Sequence, residues 1–215
     1  MHIISSFQLK DSVLNYVADE KTEKKGEAVI GIQLLPKKLP LKAQKACKTE
    51  PLVQIKLFGD RQTGGFANGL TMRDSGSTAD LKFVQQTVLD NHIITTFTNS
   101  HHHTIEHHLT LLEDVIETYT VFQNTSEKTA RIEMLSSFTL GMLSPYFEKE
   151  ASGMILHRLQ SFWSAEGRLK SEKVEDLQLE HAWAPSSYRV ERFGAVGSMP
   201  VHKYFPFAAL EDTEN

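Results

Sequence analysis

Apolar and polar residues alternate with a period of two along most of this chain. Between residues 105 and 112, Ile105, His107 and Leu109 fall on one strand face, while Glu106 and His108 fall on the other. Such alternation predicts strands with one buried and one exposed face. Strand-like runs occupy residues 3–9, 13–18, 28–35, 53–58, 81–89, 92–98, 105–112, 117–122, 132–140, 156–163 and 168–174.

Short turns join these runs, which predicts an all-β fold: a large antiparallel β-sandwich with few short helices. Asn124 to Ser126 has turn chemistry and predicts a hairpin. Residues 36–50 lack the strand pattern, and a short helix is expected around residues 41–48. No Gly/Ser-rich linker divides the 215 residues. A single domain over residues 1–215 is therefore expected, because sandwiches of ~200–250 residues commonly fold as one unit.

Composition argues against several classes of function. The net charge of −4 disfavours a nucleic-acid-binding protein, which would carry a basic stripe. No apolar run approaches the ~20 residues of a membrane span. Cys47 is the only cysteine, so an internal disulfide is excluded and a cytoplasmic location is expected. We therefore expect neither a nucleic-acid partner nor a membrane partner.

Several short segments share a family pattern. The second half carries LHRLQSFWSAEGR at 156–168, ERFG at 191–194, GSMP at 197–200 and YFPF at 204–207. The first half carries FGDR at 58–61, GLTMRDS at 69–75, EHHLT at 106–110 and MLSSF at 134–138. In this order the segments resemble the amino-terminal domain of the α-galactosidases of glycoside hydrolase family 36. The resemblance covers about residues 50–212.

This resemblance implies a supersandwich of the galactose-mutarotase type, followed in the longer protein by a (β/α)8 barrel. In that family two aspartates of the barrel hydrolyse terminal α-galactosyl residues of oligosaccharides with retention, without a metal or another cofactor. The domain itself packs on the barrel and supports assembly, and the enzymes are commonly homo-oligomers. The resemblance thus implies no catalytic residue in this chain, which is expected to be inactive alone.

The glycine-rich segment from residue 59 to residue 76 is the candidate sugar-proximal site. Glycines let a backbone approach a ligand closely, and charged side chains bind sugar hydroxyls well because each hydroxyl both donates and accepts. In some family members a loop of this domain reaches the active site of a neighbouring subunit. Asp60 and Arg61 match that loop, and Arg73 lies in the same segment. The alternative is an ordinary surface loop.

Histidines at 101, 102, 103, 107 and 108, with Glu106, form the densest cluster of possible metal ligands. Residues two apart on a strand face could hold zinc. Neighbouring strand residues point to opposite faces, however, so the five rings are not expected to converge, and no metal is expected. A histidine acting as a general base, as in sugar mutarotases, is the other interpretation.

Acids and tryptophans give weaker signals. The acidic pairs at 113–114, 175–176 and 211–212 are neighbours in sequence, which does not place two carboxyl groups across a glycosidic bond. Either Trp163 or Trp183 could stack on a sugar ring. Trp163 falls in a strand-like run and is predicted to be core, whereas Trp183 is predicted to be exposed.

The apolar run at the end of the chain is expected to be covered. Tyr204, Phe205, Phe207 and Leu210 carry much apolar surface, so residues 199–210 are predicted to form a strand or to mediate self-association. We also expect the chain to be one domain of a longer protein. Two alternatives remain open: a free-standing carbohydrate-binding sandwich, and a mutarotase-like enzyme that uses a histidine base.

Overall fold

The computed structural model describes residues 1–19, 28–37, 49–60, 75–113, 115–141, 143, 153–179, 190–194 and 203–213. Antiparallel strands dominate these residues, and the helices are one short α-helix and one 3-10 turn, so the predicted all-β sandwich class is confirmed. The described residues up to 143 form one compact unit, and those from 153 onward form a second. The sequence predicts one domain, whereas the described residues fall into two compact units, each with its own strands.

The described residues of the first unit form nine strands and the α-helix. The strands are β1 (His2–Gln8), β2 (Ser12–Ala18), β3 (Ile30–Pro36), β4 (Ile55–Leu57), β5 (Lys82–Leu89), β6 (His92–Thr98), β7 (His103–Leu112), β8 (Val115–Asn124) and β9 (Ile132–Leu135), and the helix is α1 (Gly76–Ala79). One sheet has the order β1-β2-β3, a second has the order β5-β6-β7-β8, and β4 pairs with β9.

The core of this unit lies between the two larger sheets. Tyr16 and Ile32 come from the three-stranded sheet, while Ile93, Ile105 and Leu109 come from the four-stranded sheet. Ile93 pairs in register with Leu109, so the apolar faces of β6 and β7 align and face the other sheet. Burying one such side chain is worth roughly 1.5–3 kcal/mol, and this shared face fixes the register of the sheet.

The predicted strand over residues 132–140 is too long, because β9 ends at Leu135. At Ser136 the hydroxyl accepts a hydrogen bond from the Gln54 amide at 2.8 Å, in place of the backbone carbonyl. That carbonyl instead accepts from Thr120 Oγ1 at 2.8 Å. The regular backbone pairing of β9 with β4 therefore ends at Ser136, where the side-chain hydroxyl accepts the hydrogen bond in place of the carbonyl.

The predicted hairpin at Asn124 to Ser126 is also wrong, although the turn chemistry is present. Asn124 Oδ1 accepts from the Ser126 amide at 3.0 Å and from its hydroxyl at 2.7 Å. The strand that comes next, β9, pairs with β4 rather than with β8. The turn therefore carries the chain from one sheet to another.

The described residues of the second unit form a sheet of three strands and a 3-10 turn. The strands are β10 (Met154–Gln160), β11 (Arg168–Lys173) and β12 (Ala209–Asp212), in the order β11-β10-β12, and the turn is Glu175–Leu177. Arg158 of β10 is the largest fully buried side chain, with Nη1 2.5 Å from a Glu191 oxygen and Nη2 in contact with the Glu172 carboxylate. A guanidinium thus occupies an interior position because two carboxylates pair with it.

The end of the chain is partly covered by this sheet. Ala209–Asp212 forms β12 against β10, and Tyr204 bridges to Gln160 and is buried. Phe207 and Leu210 remain exposed at 45% and 40%. The prediction of a strand is confirmed for residues 209–210 of β12. Self-association through the exposed Phe207 and Leu210 stays a prediction, and residues 199–202 lie outside the described residues.

The prediction that Trp163 is core is wrong. Strand β10 ends at Gln160, and Trp163 lies in the turn after it with 88% of its surface exposed. The Ala165 amide donates to the Phe162 carbonyl at 3.0 Å, which closes that turn. Ser164 adopts a positive φ of 62° within it. Phe162 and Trp163 therefore belong to a turn, in which both side chains are exposed.

Candidate functional site

A cleft of about 810 Å³ lies in the first unit, at the edge where β6 ends, β7 begins and β8 ends. This loop cleft is lined by residues 57–60, 77, 100–103 and 125–131. These segments are the end of β4, the start of α1, the β6–β7 turn and the β8–β9 loop. The loop cleft includes Asp60, the one sugar-proximal candidate that the structure describes. Arg61 and Arg73 lie outside the described residues.

Asp60 is fixed by its own loop. One carboxylate oxygen accepts from the Leu57 amide at 3.0 Å and from the Ser77 amide at 3.3 Å. The other accepts from the Ser77 hydroxyl at 2.9 Å. Gly59 precedes it with φ at 84°, a conformation that favours glycine. The carboxylate therefore joins the end of β4 to the first turn of α1, and much of its accepting capacity is used within the protein.

The β6–β7 turn is held by Asn99. Asn99 Oδ1 accepts from the His101 amide at 3.1 Å and from the His103 amide at 3.0 Å. Its amide nitrogen lies 3.1 Å from His103 Nδ1, so that ring nitrogen is the acceptor and the proton resides on Nε2. Burial, assisted by the nearby His101, lowers the pKa of His103 below its ordinary value. His103 is therefore a neutral, structural histidine.

His101 and His102 are exposed at the tip of the same turn. The His102 carbonyl accepts from the Thr125 amide at 3.2 Å, which attaches the turn to the β8–β9 loop. Ser100 donates to the Asp80 carboxylate through its amide at 2.9 Å and its hydroxyl at 2.6 Å. These bonds hold the backbone of the turn, while both exposed rings face solvent in the cleft lining.

An aromatic ring and two cations complete the loop cleft. Phe58 is 67% exposed, and the guanidinium carbon of Arg131 lies 5.3 Å from its ring centre. The Phe58 amide donates to the Arg131 carbonyl at 2.9 Å, which extends the β4–β9 pairing into the cleft. Lys128 is exposed on the loop, whose backbone is held by Asn124 Nδ2 donating to the Lys128 carbonyl at 2.7 Å.

Sequence reasoning missed Phe58, Lys128 and Arg131 as parts of one site. They are separated by about seventy residues and carry no shared spacing, so no sequence motif links Phe58 to the other two. The turn-forming Asn99 and Asn124 are the sequence feature that could have located the cleft, because such residues mark loops at a sheet edge. Pairing of β4 with β9 is what brings the ring and the cations together.

The remaining histidines of the cluster lie on opposite faces of β7, as predicted. His107 is fully buried in the core, with no hydrogen-bond partner for either ring nitrogen among the described residues. His108 is on the other face, stacked on Tyr119 at 4.4 Å, with Nδ1 3.0 Å from His92 Nε2. Within the described residues, no three His, Cys, Asp or Glu side chains are placed to hold a metal ion.

The other candidate acids and aromatics do not join the loop cleft. Glu113, Glu175, Asp176, Glu211 and Asp212 are absent from its lining. His157 instead lies between the Ser171 hydroxyl at 2.8 Å and a Glu211 oxygen at 2.9 Å on the open second sheet. Trp163 belongs to the second unit. Asp114, Trp183 and Cys47 lie outside the described residues.

The described lining of the loop cleft combines an exposed aromatic ring, cations, carboxylates and hydroxyls. Retaining hydrolysis requires two carboxyl groups about 5–5.5 Å apart, one of which donates a proton. Asp60 and Glu127 are the carboxylates of the described lining, and Asp60 accepts three hydrogen bonds from Leu57 and Ser77. The exposed ring, the cations and the hydroxyls offer an apolar surface with directed polar contacts.

Comparisons with protein-family models, with curated proteins and with solved structures gave no match. Among the described residues, no helix is both long enough and apolar enough to cross a membrane.

Proposed function

We propose that this chain is the amino-terminal β-sandwich domain of a family 36-type α-galactosidase. In this proposal the longer protein hydrolyses terminal α-D-galactosyl residues of oligosaccharides with retention, in a barrel that comes after the chain. The sandwich packs on that barrel, supports a homo-oligomer in the cytoplasm, and presents the loop cleft to the sugar. The sandwich takes the supersandwich form of the galactose mutarotases.

One observation supports this assignment best. In the FGDR segment at 58–61, Asp60 and Arg61 are the positions that the resemblance matches to a sugar-proximal loop. Phe58 and Asp60 of that segment both line the loop cleft, with the Phe58 ring 67% exposed. Sequence resemblance and surface shape therefore both select Asp60, with the Phe58 ring beside it in the lining.

Each described group has a physical role in this proposal. The Phe58 ring offers an apolar face against which the C–H groups of a sugar ring can pack. Asp60 holds the end of β4 on α1 through Ser77, so it positions the ring and presents acceptor oxygens to sugar hydroxyls. The exposed rings of His101 and His102 each offer one donor and one acceptor when neutral.

The catalytic step lies outside this chain in the proposal. Double displacement needs a nucleophilic carboxylate and a carboxylic acid in one site. Removing the nucleophile from such a site costs orders of magnitude in rate. The chain alone is therefore expected to be inactive, and no cofactor is needed for the reaction.

A second candidate is a free-standing carbohydrate-binding sandwich. The observation that favours it is that every described residue of the loop cleft belongs to the first unit. A cleft contained in one unit can bind without a neighbouring domain. Both candidates predict sugar contact at Phe58, and they differ in whether a catalytic barrel is joined to the sandwich.

The deciding experiment is to determine the coding sequence after codon 215, and to express this chain both alone and as the longer product of that coding sequence. The longer product should release 4-nitrophenol from 4-nitrophenyl α-D-galactoside and give α-galactose as the first product. The chain alone should show no turnover. A stop codon close to position 215 would exclude the α-galactosidase and favour the binding module. Turnover by the chain alone that disappears in Glu127→Gln would also contradict the proposal.

A further inference from the structure

Two unpaired cations face the loop cleft. Arg131 and Lys128 are exposed, and within the described part of the chain neither makes an ion pair or donates a side-chain hydrogen bond. Elsewhere the cations of Lys56 and Lys170 pair with Glu133 and Glu172 at 2.8 and 2.9 Å. The donors of Arg131 and Lys128 are therefore available to a ligand.

Within the described residues, the carboxylates of the lining form no ion pair with these cations. Asp60 accepts hydrogen bonds from the Leu57 and Ser77 donors rather than from either cation. Glu127 is exposed and pairs with no described cation, although it precedes Lys128 in sequence. The lining thus holds two carboxylates and two cations, and no ion pair joins them among the described residues. The donors of both cations are therefore not used by these carboxylates.

Arg131 is also oriented. Its guanidinium carbon lies 5.3 Å from the Phe58 ring centre, and its backbone carbonyl is bonded to the Phe58 amide at 2.9 Å. Stacking leaves the N–H groups of a guanidinium free to point sideways, where they can bind two oxygens of one anion. An apolar ring beside such a fork matches a ligand that carries an oxyanion on a flat or ring-shaped body.

We propose that the loop cleft binds an acidic sugar, a hexose that carries a phosphate or a carboxylate. The oxyanion contacts Arg131 and Lys128, and the sugar ring packs beside Phe58. This inference rests on the proposed function in one respect, the contact of the cleft with sugar. It adds that the cleft prefers a charged sugar to a neutral one.

Calorimetric titration of the full chain tests this preference with four ligands: galactose 6-phosphate, galacturonate, galactose and inorganic phosphate. Charge-assisted hydrogen bonds should make one or both acidic sugars bind about tenfold tighter than galactose. Added salt should weaken that binding because exposed charges are screened. The acidic sugar that binds with the higher affinity identifies the oxyanion as phosphate or carboxylate.

Charge-matched variants assign the site. Arg131→Gln with Lys128→Gln should abolish the preference for the acidic sugar. Arg168→Gln with Lys173→Gln removes the same charge from exposed positions outside the cleft lining and should leave it intact. Glu127→Gln should strengthen binding, because it removes a negative charge that repels the oxyanion of the ligand. Circular dichroism of each variant checks that the sandwich is retained.

Several outcomes would overturn the inference. Equal affinity for galactose and both acidic sugars would refute the preference while leaving the proposed function intact. Equal affinity for inorganic phosphate and galactose 6-phosphate would mean an adventitious ion only. Equal weakening by the two double variants would mean a general charge effect. No binding of any acidic sugar would also refute it, and hydrolysis by the longer product would still test the proposed function separately.

Discussion

Asp60 and Ser77 are joined through side chain and backbone. A carboxylate oxygen of Asp60 accepts from the Ser77 hydroxyl at 2.9 Å, and the second oxygen accepts from the Ser77 amide at 3.3 Å. The pair ties the end of β4 to α1 and thereby fixes one wall of the loop cleft. The residue that the family resemblance singles out thus has a structural role as well as a proposed role at the sugar.

Substitutions of Asp60 and Ser77 test the structural role of this pair. Asp60→Ala should lower the free energy of unfolding by about 1–2 kcal/mol, because backbone and hydroxyl donors lose their partner. Ser77→Ala should cost less, since the Leu57 bond and the Ser77 amide bond remain. Urea unfolding of both variants provides the measurement. A larger loss for Ser77→Ala than for Asp60→Ala would contradict this account of the loop.

His107 should make the protein sensitive to acid. Burial, assisted by His108 and opposed by the Ser137 backbone, lowers the pKa of His107 from 6.5 to about 4. Between about pH 4 and pH 6.5, the His107 ring therefore binds a proton in the unfolded chain but not in the folded chain. The stabilisation is fully present above pH 6.5 and is lost as the pH falls toward 4. The loss amounts to about 3 kcal/mol at most.

The control for this effect is His107→Leu, which removes the titrating group and the two unpartnered nitrogens. The difference in unfolding free energy between wild type and variant, measured from pH 4 to pH 7, isolates His107 from other titrating residues. The variant should gain stability relative to wild type as the pH falls. A difference that stays constant across this range would show that His107 does not titrate in this way.

Arg158 should be the main stabilising side chain of the second unit. Its guanidinium carbon lies 4.4 Å from the Tyr204 ring centre and 5.1 Å from that of Phe193. Burial opposes the charge, but hydrogen bonds to Glu191 and Glu172 outweigh it and raise the pKa of Arg158. Arg158→Ala should therefore cost about 2–4 kcal/mol, below the loss for fully buried pairs because both glutamates are partly exposed.

Limited proteolysis reports this effect locally. Loss of Arg158 should expose the segments around Phe193 and Tyr204 and speed cleavage there. Arg168→Ala, an exposed arginine of the neighbouring strand, should change neither stability nor cleavage measurably. Equal behaviour of the two variants would be inconsistent with a buried Arg158 holding these segments.

Most of the strand positions could be predicted from sequence because a half-buried strand imposes a period of two. Residues 92–98 were predicted as a strand and form His92–Thr98, and Ile105, His107 and Leu109 share the buried face as expected. Prediction failed where a single hydrogen bond ended the pattern. The hydroxyl of Ser136 and the closed turn before Ala165 are such local features, and neither changes the spacing of apolar residues.

The candidate site was less predictable than the fold. The family resemblance selected Asp60, which lines the loop cleft. Phe58 and Arg131 meet only because β4 pairs with β9, and strand pairing between distant segments is not encoded in local spacing. The exposure of a charged side chain, and whether it finds a partner, likewise depends on which loops converge.

Sugar contact at the loop cleft is the central claim, and backbone amide NMR with melibiose tests it most directly. In ¹⁵N-labelled protein, millimolar melibiose should shift the amides of Phe58, Asp60, His101, His102 and Arg131, and maltose should shift them less. Phe58→Ala should abolish these shifts while the rest of the spectrum stays folded. Shifts confined to other parts of the chain, or none with any galactoside, would contradict the account.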